Sequence, residues 1–158
     1  MAIEIERKFL VVGESWRDGA TSSTVMRQGY LSSNAKATVR VRIMDDARAV
    51  LTLKGAAAGI SRAEYEYSIP VADARELLAM AQPHVIEKRR HEVPFGGLIW
   101  EVDVFEGQHE GLLIAEIELT SEHQTVELPD WIGAEVTHDD RFNNASLSRS
   151  AAPPRWES

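Results

Sequence analysis

Charged and apolar residues alternate at the beginning of the chain, in the sequence MAIEIERKFL. Glu4, Glu6 and Lys8 are spaced by two, and Ile3 and Ile5 fill the gaps before and between the two glutamates. Successive side chains of a β-strand point to opposite faces, so an extended segment here has its three charges on one face and its isoleucines on the other. The pattern therefore predicts a strand with one charged face and one apolar face.

The same alternation recurs in later segments of the chain. They are QGYLSS around Tyr30 and the sequences TVRVRIM, VLTLKG, SRAEYEYSI, VIEKRRHEV, IWEVDVFEG and IAEIELT. Gly, Pro, Asn and Asp bound these segments, which is typical of strands in an antiparallel sheet or barrel. Together with the first segment, they predict about eight short strands.

Helix signals are fewer than strand signals. Residues 71–81 carry Leu and Met at helical spacing, with Asp73 as a predicted N-cap and Pro83 after the end of the run. In the sequence THDDRFNNASLSR, Thr137 is a predicted N-cap with Asp140 three residues later, which indicates a second helix near the C-terminus.

The composition is that of an ordinary globular domain. A chain of 158 residues is long enough for one domain with a hydrophobic core. Its content of 44% hydrophobic and 27% charged residues is usual for a globular protein. We expect a single domain over residues 1–150 and a loose tail over residues 151–158.

Charge, cysteine content and hydropathy exclude several classes of function. The formal net charge of -8 argues against a general nucleic-acid partner, which favours a basic surface. The absence of cysteine excludes disulfides, thiol nucleophiles and cysteine-based metal sites. No run of about 18 apolar residues occurs, so we expect a cytoplasmic protein without a membrane partner.

The charges are segregated by strand. Basic residues alternate with or follow one another in the segments 40–42, 54 and 88–90, whereas the charged residues of the segments 64–66, 101–103 and 116–118 are acidic. A charged face is commonly the solvated side of a sheet, but a solvated face usually mixes both signs. Each predicted helix has one apolar side, which can pack on the outside of a barrel if the outward faces of the strands are apolar. The charged faces of the strands then point inward, so we expect them to line the lumen of the barrel.

A charged lumen requires a ligand. Buried charges are costly unless they are paired or neutralised. Lysines and arginines bind phosphate oxygens, and carboxylates bind Mg²⁺, so the two clusters together indicate a polyanion bound through a divalent metal ion.

The sequence resembles the CYTH superfamily, the triphosphate tunnel metalloenzymes. The first segment matches the ExExK signature of that family. The resemblance continues in the family's order through RQGYL at 27–31, VRVR at 39–42, LTLKG at 51–55, SRAEYEYSI at 61–69, EKRRH at 87–91, WEVDVF at 100–105, AEIEL at 115–119 and EVTHDDRFNNASL at 135–147. The short chain is most similar to compact bacterial inorganic triphosphatases.

The resemblance implies an α+β fold and a set of site residues. The fold is an eight-stranded antiparallel barrel that forms a tunnel, with helices packed outside and with Mg²⁺ or Mn²⁺ and a triphosphate inside. The positions that match triphosphate-binding residues are Lys8, Arg40, Arg42, Lys54, Lys88 and Arg90. The positions that match the main metal-binding acids are Glu4, Glu6, Glu116 and Glu118, with Glu64 and Asp103 as further tunnel acids. The resemblance also implies that Tyr30 pairs with Lys88 and that this pair takes part in cleavage.

The expected reaction is hydrolysis of inorganic triphosphate to diphosphate and phosphate. Phosphoryl transfer depends mainly on positioning and on neutralising the developing charge, which the six cations and a metal ion supply. Either a tunnel carboxylate or Lys88 tuned by Tyr30 positions or deprotonates the attacking water, and the sequence leaves both open.

Four other functions remain open at the level of sequence. The family also contains class IV adenylate cyclases and thiamine triphosphatases. A cyclase needs a pocket for adenine and ribose, and a thiamine triphosphatase needs a ring clamp, for which Trp16 or Trp131 is a candidate although packing is favoured for each. A polyphosphate-binding module without catalysis needs the cations but not the carboxylates. A plain interaction domain needs only a solvated charged sheet.

Overall fold

A computed structural model gives the structure of residues 2–156. The strands are β1 (Ala2–Val11), β2 (Ser22–Ser33), β3 (Ala37–Met44), β4 (Arg48–Gly55), β5 (Ser61–Ile69), β6 (Val85–Phe95), β7 (Leu98–Phe105), β8 (Leu113–Glu118) and β9 (Ile132–Glu135). The helices are α1 (Val71–Ala81) and α2 (Asn144–Ser148), with short 3-10 helices at Ser15–Gly19, Gly107–His109 and Asp140–Phe142.

Eight of these strands close into a barrel. The strand order is β5-β4-β3-β2-β6-β7-β8-β1, all neighbours are antiparallel, and β1 pairs with β5 to close the ring. The closing pairs run from Ala2 opposite Glu64 to Ile5 opposite Ser61. The predicted eight-stranded antiparallel barrel is confirmed. Strand β9 lies outside the ring against the second half of β1, and its sequence IGAE has no alternation that would have predicted it.

Helix α1 covers the outside of strands β2, β3 and β4. Its buried Leu78 packs with Val41 and Ile43. A Cβ atom on Gly29 would lie 2.7 Å from that of Ala81, so the close approach of helix and strand depends on glycine at this position. The predicted helix over 71–81 is confirmed.

The predicted N-cap of α1 is wrong. The helix begins after Pro70, and no side chain caps it. Asp73 lies instead inside the first turn, where its negative charge still complements the partial positive charge of the helix N-terminus.

The C-terminal helix does not begin at Thr137 as predicted. Two shorter elements replace it, because two side chains each cap a new turn. The Asp139 carboxylate accepts from the Arg141 backbone N–H, and the Asn143 side chain accepts from the Ser146 backbone N–H at 2.7 Å. Thr137 donates to Glu135 instead.

One end of the barrel is filled by apolar side chains. Phe105 and Ile114, which share the inward side of their strands with Lys88 and Asp103, pack with Phe142 and Leu147 from the C-terminal elements. Phe142 and Leu147 are at most 1% exposed. The C-terminal elements are therefore anchored in the barrel end.

The outward face of β1, β7 and β8 carries a second apolar cluster. Trp100 packs edge-on against Phe9 at 5.6 Å and against Trp131 at 5.8 Å between ring centroids, and Trp16 belongs to the same cluster. The apolar faces therefore pack outside the barrel, which leaves the charged faces to the lumen as predicted. Within residues 2–156, no helix has the length and apolar character needed to cross a membrane.

Candidate active site

The charged strand faces line one cavity of about 580 Å³ inside the barrel. Among the described residues, eight acidic side chains line it: Glu4, Glu6, Glu64, Glu66, Glu101, Glu116, Glu118 and Asp140. Eight basic side chains line it as well: Lys8, Arg40, Arg42, Lys54, Arg62, Lys88, Arg90 and Arg149. Every site residue expected from the sequence, Tyr30 included, lines this cavity except Asp103, which is buried directly behind it.

Asp103 holds two of the cations in place. It is 0% exposed and accepts from the Lys88 Nζ at 2.7 Å. The Arg90 guanidinium donates to both of its oxygens, at 2.8 and 3.0 Å. Burial opposes ionisation, but Arg90 and Lys88 outweigh it and hold the pKa of Asp103 well below its usual range. Asp103 is thus a fixed anion that positions Lys88 and Arg90.

Lys88 is fully buried at the wall of the cavity. Burial lowers the pKa of its ammonium to about 7, with Arg90 and Arg42 adding to the effect and Asp103 opposing it. Besides Asp103, its Nζ donates to the Asn144 Oδ1 at 2.9 Å. Lys88 therefore combines fixed geometry with a proton affinity suited to neutral pH.

Tyr30 and Lys88 are connected indirectly. The Tyr30 hydroxyl accepts from the Gln28 Nε2 at 3.4 Å, and the same Nε2 donates to the Asn144 Oδ1 at 3.1 Å. Within residues 2–156, no direct hydrogen bond joins Tyr30 to Lys88. The two expected partners thus lie on one network, with Gln28 and Asn144 between them.

Two arginines on β3 form a basic wall. Among the described residues, neither Arg40 nor Arg42 has a carboxylate within salt-bridge distance. Arg40 donates to the Thr52 Oγ1 at 3.1 Å, but its buried Nε has no partner. Arg42 donates to the Gln28 Oε1 at 2.7 Å. Burial, with Arg40 and Arg90, lowers the pKa of Arg42 to about 9, so it remains a cation near neutral pH. This wall therefore presents to the cavity positive charge that no carboxylate among the described residues compensates.

Carboxylates face the cavity from the neighbouring strands β1 and β8. Glu6 lies opposite Glu118 and Lys8 opposite Glu116, and the Lys8 Nζ is 3.7 Å from both Glu6 and Glu116. Burial and the nearby Glu116 raise the pKa of Glu6 to about 7 against the effect of Lys8. Lys8 and Arg90, working against burial, lower the pKa of Glu116 to about 2. The cluster thus contains one carboxylate that is poorly neutralised by its neighbours.

The remaining pairs join β1, β4 and β5. The Lys54 Nζ is 2.9 Å from Glu4 and 3.4 Å from Glu64. Burial raises the pKa of Glu4, a hydrogen bond to Glu64 adds to the effect, and Lys54 opposes it.

The acidic side chains of the cavity supply the ligand type of a divalent-metal site, but they do not converge on one point. Carboxylate oxygens are the ligands that Mg²⁺ and Mn²⁺ prefer. In the part of the chain that the structure describes, no three acidic or histidine side chains converge closely enough to hold an ion. Several of the carboxylates turn towards Lys8 or Lys54 instead, as expected for mutually repelling anions beside cations.

Sequence reasoning missed several residues of the cavity and of the layer behind it. Gln28 does not line the cavity but is 0% exposed behind it, bonded to Arg42 and Asn144, and its place two residues before Tyr30 on β2 gives it the same parity. Asn144 lies on α2, where nothing local indicates a cavity. Arg62 and Arg149 are also in the lining.

The tryptophans considered as a ring clamp are packing residues. Trp16 is 1% exposed and Trp131 is 6% exposed, and both belong to the apolar cluster outside the barrel. Of the described residues that line the cavity, Tyr30 alone is aromatic. The cavity therefore offers little surface for stacking a nucleobase or a thiamine ring.

The closed antiparallel ring of strands and the charged side chains inside it define a barrel protein with a charged lumen. The CYTH domain model matches residues 2–149, and the chain belongs to that family. It is 47% identical to an inorganic triphosphatase of Acetivibrio thermocellus, over 95% of this chain and 96% of the relative. It is 35% identical to an inorganic triphosphatase of Nitrosomonas europaea, over 93% and 97%. A solved structure of an inorganic triphosphatase superposes with a TM-score of 0.70 at 34% identity, covering 95% of this chain and 97% of that one.

Proposed function

We propose that the protein hydrolyses inorganic triphosphate to diphosphate and phosphate in a metal-dependent reaction. The observation that carries the proposal is the basic wall of Arg40 and Arg42. It has no acidic partner among residues 2–156, and it faces the same cavity as the carboxylates of β1 and β8. The two relatives that are named inorganic triphosphatases, and are aligned over nearly their whole length, support the choice of substrate.

The cations of the lumen bind the triphosphate. We assign this role to Lys8, Arg40, Arg42, Lys54, Lys88 and Arg90. Phosphoryl transfer requires in-line positioning and neutralisation of charge on the transferred group, and cations held rigidly in a partly buried cavity supply both. We assign to Lys88, which Asp103 and Asn144 hold, the orientation of the attacking water or of the transferred phosphoryl group. Tyr30 lies on the same hydrogen-bonded network.

Charge balance supports a divalent cation. Among the described residues, eight acidic and eight basic side chains line the cavity, so these side chains do not offset the several negative charges that a bound triphosphate adds. We propose that Mg²⁺ or Mn²⁺ offsets them and that Glu4, Glu6, Glu116 and Glu118 hold it, with Glu64 nearby. Such an ion polarises phosphoryl oxygens when bound. Both oxygens of Asp103 already accept from Lys88 or Arg90, so we assign Asp103 to positioning these cations rather than to metal binding.

A panel of phosphate esters and anhydrides tests the proposed function. We expect phosphate release from triphosphate to exceed release from ATP, thiamine triphosphate and diphosphate with Mg²⁺ or Mn²⁺, and to stop in EDTA. Colorimetric phosphate detection measures this. Tight triphosphate binding without release from any compound would favour the polyphosphate-binding module, and cyclic AMP formation from ATP would favour the cyclase.

Binding to the basic wall has its own test. We expect triphosphate to raise the melting temperature of the protein in EDTA, because a ligand that binds the folded state stabilises it by mass action. Arg40→Gln should remove most of this shift, since the buried Nε of Arg40 has no partner in the described part of the chain. Arg48→Gln, an exposed substitution on β4, is the matched control. Equal shifts in both variants would show that the wall does not bind triphosphate.

A further inference from the structure

Asn144 connects two of the substrate-binding cations. Its Oδ1 accepts from the Lys88 Nζ at 2.9 Å and from the Gln28 Nε2 at 3.1 Å. Gln28 in turn accepts from the Arg42 Nε at 2.7 Å through its Oε1. One side-chain oxygen from α2 thus joins Lys88 directly and Arg42 through one intermediate.

The network fixes the orientation of both amides. An arginine only donates, so the Gln28 oxygen must face Arg42 and its NH₂ group must face Asn144. The Gln28 NH₂ group only donates, so the Asn144 oxygen must face it in either protonation state of Lys88. The Asn144 oxygen therefore faces both Gln28 and Lys88, and its NH₂ group lies on the opposite side of the same planar amide.

The NH₂ group of Asn144 is left with its donors available. Within residues 2–156 it has no hydrogen-bond partner, and it is not among the buried atoms that lack one. Asn144 itself lines the cavity. An amide donor that the protein has oriented and left accessible in a cavity for a polyanion is placed to meet an anionic oxygen.

We propose that the Asn144 side chain binds the triphosphate directly, by donating from its Nδ2 to a phosphate oxygen. This inference rests on the proposed function and assigns to α2 a residue of the substrate site. The Lys88 ammonium withdraws electron density through the shared oxygen and so strengthens the donor on the other side. A hydrogen bond from such a donor to a phosphate is charge-assisted.

The anchoring of α2 makes this role possible. Asn144 opens a five-residue helix whose Leu147 is 0% exposed and packs in the apolar barrel end with Phe142. The neighbouring Asn143 caps the helix by accepting from the Ser146 N–H. The donor is therefore held on a fixed support rather than on a free tail.

The variant Asn144→Asp distinguishes direct binding of triphosphate by Asn144 from a role in which Asn144 only supports Lys88. An aspartate keeps the oxygen that accepts from Lys88 and Gln28 and replaces the NH₂ donor with a second acceptor. We expect the Kd of triphosphate, measured by calorimetry in EDTA, to rise about thirtyfold or more, since a charge-assisted hydrogen bond becomes a repulsive contact. If Asn144 only supported Lys88, this variant would lose no more affinity than a control variant that adds the same charge nearby.

Asn143→Asp is the matched control for charge. It adds the same negative charge one residue away in the same cavity lining and keeps the helix cap, since aspartate caps as well as asparagine. We expect its Kd to rise less, by about threefold, because the Asn143 oxygen accepts from the Ser146 N–H and not from Lys88, so its amide is not the strengthened donor that Asn144 is. Equal losses in both variants would overturn the inference.

A second variant keeps the test valid if the aspartate disturbs the fold. Asn144→Ala removes the donor without adding charge, and we expect about a tenfold rise in Kd, the value of one charge-assisted hydrogen bond. An unchanged Kd in a variant with wild-type thermal unfolding would overturn the inference. Wild-type protein that neither binds nor cleaves triphosphate would instead overturn the proposed function, and this inference with it.

Discussion

Lys88→Ala is expected to lower kcat for triphosphate by about a hundredfold to a thousandfold, the range seen when one preorganised electrostatic group is removed from an active site. Lys88 lies at the cavity wall, fixed by Asp103 at 2.7 Å and by Asn144 at 2.9 Å. Asp103 keeps both hydrogen bonds from Arg90 in the variant, so no buried carboxylate loses all of its partners. We therefore expect the variant to fold, with steady-state phosphate release and thermal unfolding as the measurements.

The adjacent residue provides the control. Arg89 follows Lys88 on β6, points to the opposite face and is exposed. Arg89→Ala removes the same unit of charge from the same strand, and we expect near wild-type kcat. Full activity in Lys88→Ala, or an equal loss in Arg89→Ala, would exclude Lys88 from the mechanism.

The barrel was predictable because its signal is local and repeated. In β1, β3 and β5 the alternation of charged and apolar residues marks which side chains point inward, and the register of a closed sheet then brings them together without further information. Arg40, Arg42 and Glu116 reach the same cavity for this reason.

The C-terminal elements were not predictable in the same way. The pattern after Thr137 shows helical spacing, but Asp139 and Asn143 each satisfy backbone N–H groups and restart the turn, so capping outweighs periodicity. The place of Asn144 in the cavity depends on tertiary packing of Leu147 in the barrel end, which no local pattern encodes. The pairing of Asp103 with both Lys88 and Arg90 is likewise a side-chain contact that strand parity alone does not specify.

Glu6→Gln is expected to abolish metal-dependent turnover while stabilising the metal-free protein. Glu6 faces the cavity opposite Glu118, among the carboxylates that we assign to metal binding. Burial and Glu116 raise its pKa to about 7. A carboxylate with a raised pKa in the folded state costs stability once the pH exceeds its ordinary pKa, and the cost is complete above the folded-state value. At pH 8 in EDTA, the neutral glutamine avoids this cost, so the melting temperature should rise.

Glu6→Gln is expected to lower turnover and to raise the melting temperature of the metal-free protein, and these opposite changes make the test specific. A residue that only supports the fold loses activity and stability together when it is replaced, whereas a ligand-binding charge costs stability in the absence of its ligand. Calorimetric titration with Mn²⁺ should show weaker binding to Glu6→Gln than to the wild type. Glu87→Gln, on the exposed outer face of β6, is the control and should leave metal binding and kcat unchanged. A fall in melting temperature with intact Mn²⁺ binding would remove Glu6 from the metal site and return it to a structural role beside Lys8.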